Sequence, residues 1–219
     1  MWRAPVCLVA ITDRRRMVAP DVLARGDWDE IARAFAAAVA PIAAPGVLVQ
    51  VREKDLDGGP LLALVQAALG TGAAVVVNDR LDVALAAGAH GVHLPEHGLS
   101  IESVRGILGS RDVPAGFTIG ASVHSIEGAH AAAEAGAELV QLGPIWETPG
   151  KGPPLGPSAL AAARPLLSGR ARVARLVAVG GIDGEDRARQ ALRSGADAVA
   201  AIRATWAHQL DIGRVLAGL

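Results

Sequence analysis

Ala87-Gly88-Ala89-His90-Gly91-Val92 recurs as Ala135-Gly136-Ala137-Glu138-Leu139-Val140 and again as Ser194-Gly195-Ala196-Asp197-Ala198-Val199. Each copy reads small residue, Gly-Ala, polar residue, apolar run. An Ala-rich stretch with helical spacing precedes each one, so the Gly predicts a helix that ends in the left-handed conformation. The following Ala lets that helix lie close against the next strand. The repeated unit is a helix running into a strand, and an internal repeat of this kind fixes the architecture.

Reading outward from the copies gives apolar runs near residues 7–11, 47–51, 74–78, 91–94, 118–122, 139–142, 176–179 and 198–202. Between them, Ala and Leu at the three-and-four spacing mark helices over 28–43, 61–69, 80–87, 101–108, 127–135, 158–167 and 186–194. Strands alternating with helices imply a parallel sheet covered by helices on its outside. Eight such units in one chain predict a (β/α)8 TIM barrel, whose usual size is roughly 250 residues. The rival is a doubly wound open sheet.

Composition narrows the function classes. A chain of 219 residues, 51% of them hydrophobic, buries one substantial core, and no Pro- or Ser-rich linker divides it, so 1–219 reads as a single domain. A formal charge of -1 gives no basic footprint, and aromatic residues at 3% are too scarce for a base-stacking platform, which argues against nucleic acid as a partner. The lone Cys7 excludes an internal disulfide and a multi-cysteine zinc site, and it reads as a small core residue of the first strand. The apolar run at 5–11 is too short to span a membrane and is soon followed by Arg14-Arg15-Arg16. A soluble cytoplasmic protein is expected.

Chemistry in such a barrel belongs at the carboxyl ends of the strands, where the loops converge on one mouth. Polar residues gather there: Thr12-Asp13-Arg14 after the first strand, Arg52-Glu53-Lys54-Asp55 after the second and Asn78-Asp79-Arg80 after the third. His93 to His97 follow at the fourth, Ser122-Val123-His124-Ser125 at the fifth and Ile202-Arg203 at the eighth. Strand alternation puts Gln50, Arg52 and Lys54 on one face and Val49 and Val51 on the other. Three long polar side chains on the inward face call for a polar partner, most naturally an anion. Pairing of Arg52 and Lys54 with Glu53, Asp55 or Asp79 as solvated loop charges is the plain alternative.

Gly180-Gly181-Ile182-Asp183-Gly184 lies between the seventh strand and the next helix. Paired glycines there let backbone N–H groups approach a phosphate, at a place where barrels often bind one. The loop after the sixth strand, residues 146–156, is long and rich in Gly and Pro, as lids and binding segments commonly are. Lys151 stands near its centre.

Together these residues resemble the thiamine phosphate synthase and TenI family. The likeness rests on Arg52-Glu53-Lys54, Asn78-Asp79-Arg80 with Asp82, Gly91-Val92-His93-Leu94, Ser122-Val123-His124-Ser125 and Gly143-Pro144. It continues through Thr148 to Lys151, Pro154-Leu155-Gly156 and Ala178-Val179-Gly180-Gly181-Ile182, and so covers almost the whole chain. The resemblance implies a barrel that binds thiazole phosphate and, in the synthase branch, also a pyrimidine methyl pyrophosphate with magnesium. It assigns Gln50, Arg52, Lys54 and Asn78 to the pyrimidine and pyrophosphate, with Lys54 among the cations that stabilise the leaving charge. Asp79 becomes one magnesium ligand. Ser122, Thr148 and Lys151 surround the pyrophosphate and thiazole, while Gly180, Gly181, Ile202 and Arg203 lie at the thiazole phosphate. A homodimer is a family-level expectation.

Departures from the family pattern separate its branches. Synthases typically carry a second magnesium-binding aspartate where Gly98 stands, and usually a small serine where Arg203 stands; Glu96 substitutes for the aspartate only if the loop shifts. Arg203 either adds a phosphate contact or obstructs the pocket. The wording His93-Leu94-Pro95 without that aspartate is closer to the TenI branch, whose activity is tautomerisation of a thiazole carboxylate phosphate. His124 would be its acid/base catalyst, with no metal cofactor required. On these residues the tautomerase stands ahead of the synthase, and a regulatory protein that binds thiazole phosphate without turnover is the third reading.

Overall fold

The computed structural model describes residues 6–110, 116–167 and 173–219. Eight strands form a closed parallel barrel in sequence order: β1 (Leu8–Ile11), β2 (Val47–Val51), β3 (Ala74–Asn78), β4 (Gly91–Leu94), β5 (Thr118–Val123), β6 (Leu139–Leu142), β7 (Arg175–Val179) and β8 (Ala198–Ala201). Pairing of β8 with β1 closes the ring and excludes the open-sheet rival. Among the described residues, no helix is long and apolar enough to cross a membrane.

The repeat behaves as its sequence demands. Gly88, Gly136 and Gly195 all have positive φ, at 68°, 96° and 103°. In each copy the N–H of the following alanine reaches back to a carbonyl in the last helical turn: Ala89 to Ala84, Ala137 to Ala132 and Ala196 to Ala191. This is a Schellman-type closure, and all three alanines are buried against the strands. The polar residue of the repeat has a role that the sequence did not disclose. His90 Nδ1 accepts the N–H of Val75, Glu138 Oε2 that of Ile119 and Asp197 Oδ2 that of Leu176. Each therefore ties its own strand to the start of the preceding one, at the end of the barrel away from the mouth.

Helices flank the strands near the expected places: Trp28–Val39, Gly58–Gly70, Leu81–Ala87, Ile101–Gly109, Ile126–Ala135, Ser158–Ala163 and Glu185–Arg193. Two expected helices, 28–43 and 158–167, finish instead as 3-10 turns, Ala40–Ile42 and Arg164–Leu167. Short helices at Arg14–Met17, Pro20–Arg25, Arg203–Trp206 and Ile212–Ala217 were not anticipated. Cys7 stands half-buried just ahead of β1 rather than within the core.

Alternation divides each strand between two environments. Val47, Val49 and Val51 join the large apolar layer under the helices, whereas Leu48 points inward with Val9, Ile11, Val76, Leu139 and Val177. Moving toward the mouth, the inward positions become polar: Gln50 above Leu48, Asn78 above Val76, Gln141 above Leu139. The apolar lower layer stabilises the barrel, and the polar upper layer is the floor of the site.

Candidate active site

A cavity of about 300 Å³ opens at the carboxyl ends of the strands. Its lining includes Gln50, Arg52, Asn78, Ser122, His124, Thr148, Lys151, Gly180, Gly181, Ile202 and Arg203. These residues come from β2, β3, β5 and the loops after β2 and after β5 to β8, so barrel closure has gathered side chains far apart in sequence. Arg203 is an exposed rim residue, and the cavity remains open beside it. Ile202 lies just past β8, where the chain turns into helix Arg203–Trp206. Trp206 Nε1 donates to the Ile11 carbonyl at 2.7 Å and fastens that turn across β1.

Lys54 and Asp79 lie beside the cavity rather than in its lining. Lys54 faces an adjoining hollow of about 150 Å³ that shares Arg52 and Ile202 with the main one. Asp79 is exposed, on a left-handed turn with φ 67°, a conformation that Asp tolerates better than most residues. Its N–H donates to the His93 carbonyl and holds the turn against β4.

The floor is a chain of neutral amides. Gln141 Nε2 donates to Gln50 Oε1 at 2.7 Å, and Gln50 Nε2 donates to Asn78 Oδ1 at 3.1 Å. Gln141 belongs to the site and was missed. Its signal is a single polar residue in the apolar run Leu139–Leu142, on the same face as Leu139. Beside this chain, the wholly buried His93 places Nε2 2.8 Å from Ser122 Oγ. Burial, with the nearby charge of Arg52, pushes the His93 imidazole down to about 3, so it is neutral at ordinary pH.

At the rim the charges are unbalanced by design of the network around them. Glu53 is buried and accepts from Thr12 Oγ1 at 2.7 Å, from the Arg14 backbone N–H at 3.0 Å and from the Arg14 guanidinium at 3.1 Å. Asp55 takes the same guanidinium at 2.6 Å and Arg15 at 2.8 Å. The plain alternative, pairing of Arg52 and Lys54 with Glu53 and Asp55, is not what the structure shows: Arg14 holds both carboxylates. Arg52, Lys54 and Lys151 form no ion pair among the described residues, while Thr12 Oγ1 fixes the Arg52 backbone by accepting its N–H at 2.9 Å. Burial lowers the Arg52 guanidinium, and the charge of Arg52 is the largest of the effects lowering the Lys54 ammonium, with burial and Lys151 adding to it. Cations that destabilise one another in the free protein are relieved by an anion of more than one charge.

Two glycines shape the opposite wall. A Cβ on Gly180 would lie 2.6 Å from Pro144 Cα, and one on Gly181 2.6 Å from Trp146 Cβ, so the loop after β6 packs directly on the Gly-Gly turn. Both have positive φ, at 94° and 67°. Arg187 donates to the Gly181 carbonyl at 2.6 Å and lies 5.7 Å over the Trp146 ring, which locks loop and turn together.

The metal-binding potential is one carboxylate deep. A Cβ at position 98 would come 3.0 Å from Asp79 Oδ1, so Gly98 withholds a side chain beside that carboxylate. Glu96, the candidate substitute, has its Oε2 2.7 Å from His124 Nδ1. Among the described residues no group of three or more His, Cys, Asp or Glu side chains converges on a metal position. Asp79 alone still fits magnesium, a hard ion commonly held by one or two carboxylates plus substrate phosphate oxygens.

Fold and site define a (β/α)8 barrel enzyme with a small, cation-rimmed, amide-floored pocket at the strand ends. A family model described as thiamine monophosphate synthase matches residues 22–205. Thiamine-phosphate synthase of Methanoculleus marisnigri is 40% identical over 196 residues, 86% of this chain and 85% of that protein. Putative thiamine-phosphate synthase of Geobacter sulfurreducens is 38% identical over 212 residues, 93% of this chain and 88% of that protein. Among solved structures, thiamine phosphate pyrophosphorylase from Pyrococcus furiosus superposes with a TM-score of 0.71 at 27% identity, covering 98% of this chain and 96% of that one. This chain belongs to the thiamine monophosphate synthase family, a family of thiamine-biosynthesis enzymes.

Proposed function

We propose that the protein is a thiamine-phosphate synthase, which joins a pyrimidine methyl pyrophosphate to a thiazole phosphate and releases pyrophosphate. The observation that carries this reading is the convergence of Arg52, Lys54 and Lys151 while Arg14 occupies the neighbouring carboxylates. Pyrophosphate concentrates its charge in one compact group, whereas a thiazole carboxylate phosphate splits its charge between a phosphate and a carboxylate on opposite sides of the ring. The names of relatives at 38–40% identity support the same choice over the tautomerase expected from the sequence.

In this reading the bond between the pyrimidine methylene and the pyrophosphate oxygen breaks, and its electron pair leaves on that oxygen. The thiazole nitrogen then donates its lone pair to the methylene cation and forms the new C–N bond. Arg52, Lys54 and Lys151 stabilise the departing charge, which grows as the bond lengthens. Gln50 and Asn78 hold the pyrimidine through neutral hydrogen bonds, and Ser122 and Thr148 line the space between the two substrates. Backbone at Gly180, Gly181 and Ile202, with Arg203 at the rim, receives the thiazole phosphate. Asp79 is the residue that would hold magnesium, whose chemistry when bound is neutralisation of the leaving pyrophosphate.

The second reading is a thiazole tautomerase. It is favoured by the contact between His124 and Glu96, which orients an imidazole at the cavity for proton transfer, and by Gly98 beside Asp79. The two separate in one assay. Purified protein given both synthase substrates and magnesium should release pyrophosphate in step with thiamine phosphate. Isomerisation of the thiazole carboxylate phosphate that depends on His124, without pyrophosphate release, would replace the synthase with the tautomerase.

A further inference from the structure

We propose that His93 is a positioning residue that turns the Ser122 hydroxyl into a fixed hydrogen-bond donor facing the ligand. His93 is 1% exposed, stands in register with Asn78 of the floor, and is not among the residues that line the cavity, so its route to a ligand runs through Ser122. Its Nε2 is 2.8 Å from Ser122 Oγ, and Ser122 does line the cavity. The opposite edge of the ring lies against β5, where His93 is in register with Gly120. A Cβ on Gly120 would come 2.5 Å from His93 Nδ1, so glycine is what makes room for the imidazole. Nδ1 has no hydrogen-bond partner among the described residues.

The direction of the bond follows from these contacts. A buried imidazole with no carboxylate partner, and with Arg52 nearby, is neutral and carries one N–H. A proton on Nδ1 would bury a donor with no acceptor, an arrangement that folded proteins rarely tolerate. The proton on Nε2 has Ser122 Oγ to accept it. Ser122 thereby spends an acceptor lone pair downward, and its own O–H is directed up into the cavity. The result is a neutral donor matched to phosphate, pyrophosphate or carboxylate oxygen, and one that does not titrate with the rim. The role in ligand binding rests on the pocket assigned above, whereas the tautomer is a property of the free protein.

Two measurements test this. In 15N-labelled protein, the imidazole resonances of His93 should report a neutral ring protonated on Nε2 from pH 5 to 8; protonation on Nδ1 overturns the proposal whatever the protein's reaction. Pyrophosphate binding by calorimetry should weaken about 10- to 100-fold in both Ser122→Ala and His93→Phe, the range for a hydrogen bond to a charged group. The double variant should bind no worse than Ser122→Ala alone, and His93→Gln, which can present an amide N–H in place of Nε2, should recover most of the affinity. Additive losses in the double variant, or a His93→Gln protein that folds but binds as weakly as Ser122→Ala, would refute the coupling. A wild type with the Nε2–H tautomer that ignores pyrophosphate counts against the synthase reading and against the donor's pyrophosphate role, while the hydrogen-bond direction stands.

Discussion

Replacing Asp197 by Ala tests the link that repeats around the lower rim of the barrel. Asp197 Oδ2 accepts the Leu176 N–H at 2.8 Å and the Arg164 guanidinium at 2.7 Å. Truncation orphans the N–H of a buried residue, at about 1–3 kcal/mol. It also removes an ion pair whose side chains are 39% and 21% exposed, worth about 0–1 kcal/mol after solvent screening. The sum centres near ~2.5 kcal/mol, which lowers the melting temperature by about 5–10 °C in a chain of this size. Asp197→Asn retains an acceptor oxygen and loses only the charge, so it should fall by less than about 1 kcal/mol. Urea titration of both variants, beside pyrophosphate binding by calorimetry, provides the comparison. Binding should be unchanged in both, because the residue lies at the amino ends of the strands. Equal destabilisation by Ala and Asn would show that the strand-to-strand hydrogen bond is not the source, and the same argument for His90 and Glu138 would fall with it.

Two further outcomes follow from the geometry. His93 is held near pKa 3 against an ordinary 6.5, and burial also lowers His90, so the folded protein favours neutral rings; the His93 contribution to stability is complete above pH 6.5 and is lost as pH falls from there toward 3, and His90 acts in the same direction. Between pH 7.5 and 5 the wild type should therefore lose about 2 kcal/mol more than His93→Gln in urea titrations, and equal losses would remove His93 as the cause. Gly181→Ala must accept a left-handed φ and a Cβ 2.6 Å from Trp146, together about 2–5 kcal/mol, whereas Gly26→Ala, at a similar φ with nothing within 4 Å, carries only the first part, about 1–2 kcal/mol. Denaturation of the two variants separates the clash from the backbone, and matching losses would contradict the packing of the loop on the Gly-Gly turn.

What the sequence made legible was local or periodic. Gly88, Gly136 and Gly195 announce helix ends through a conformational requirement that needs no tertiary information, and alternation within β2 separates Gln50 and Arg52 from Val49 and Val51. The gathering of Arg52, Asn78, His124, Lys151 and Gly181 around one cavity follows from barrel closure alone. What the sequence left illegible depends on which distant neighbour wins. Glu53 is adjacent to Arg52 in sequence, but Arg14 reaches it from the loop after β1. Glu96 is met by His124 from the loop after β5, 28 residues further along the chain. Gln141 meets Gln50 across 91 residues of chain, a contact that no window of sequence contains. The short helices lack enough turns for an apolar stripe to stand out.

The amide chain from Gln141 to Asn78 has a consequence for how molecules must sit in this barrel. Its uncharged base offers neutral donors and acceptors that suit a heterocycle and do not attract an ionised group, while Arg52, Lys151 and Arg203 stand beyond the strand ends above it. A molecule with a flat ring at one end and a charged tail at the other has one electrostatically favourable way in, ring first and tail uppermost. Orientation is thereby decided before any chemistry begins, and altering the base rather than the opening is the route to a barrel that grips a different ring.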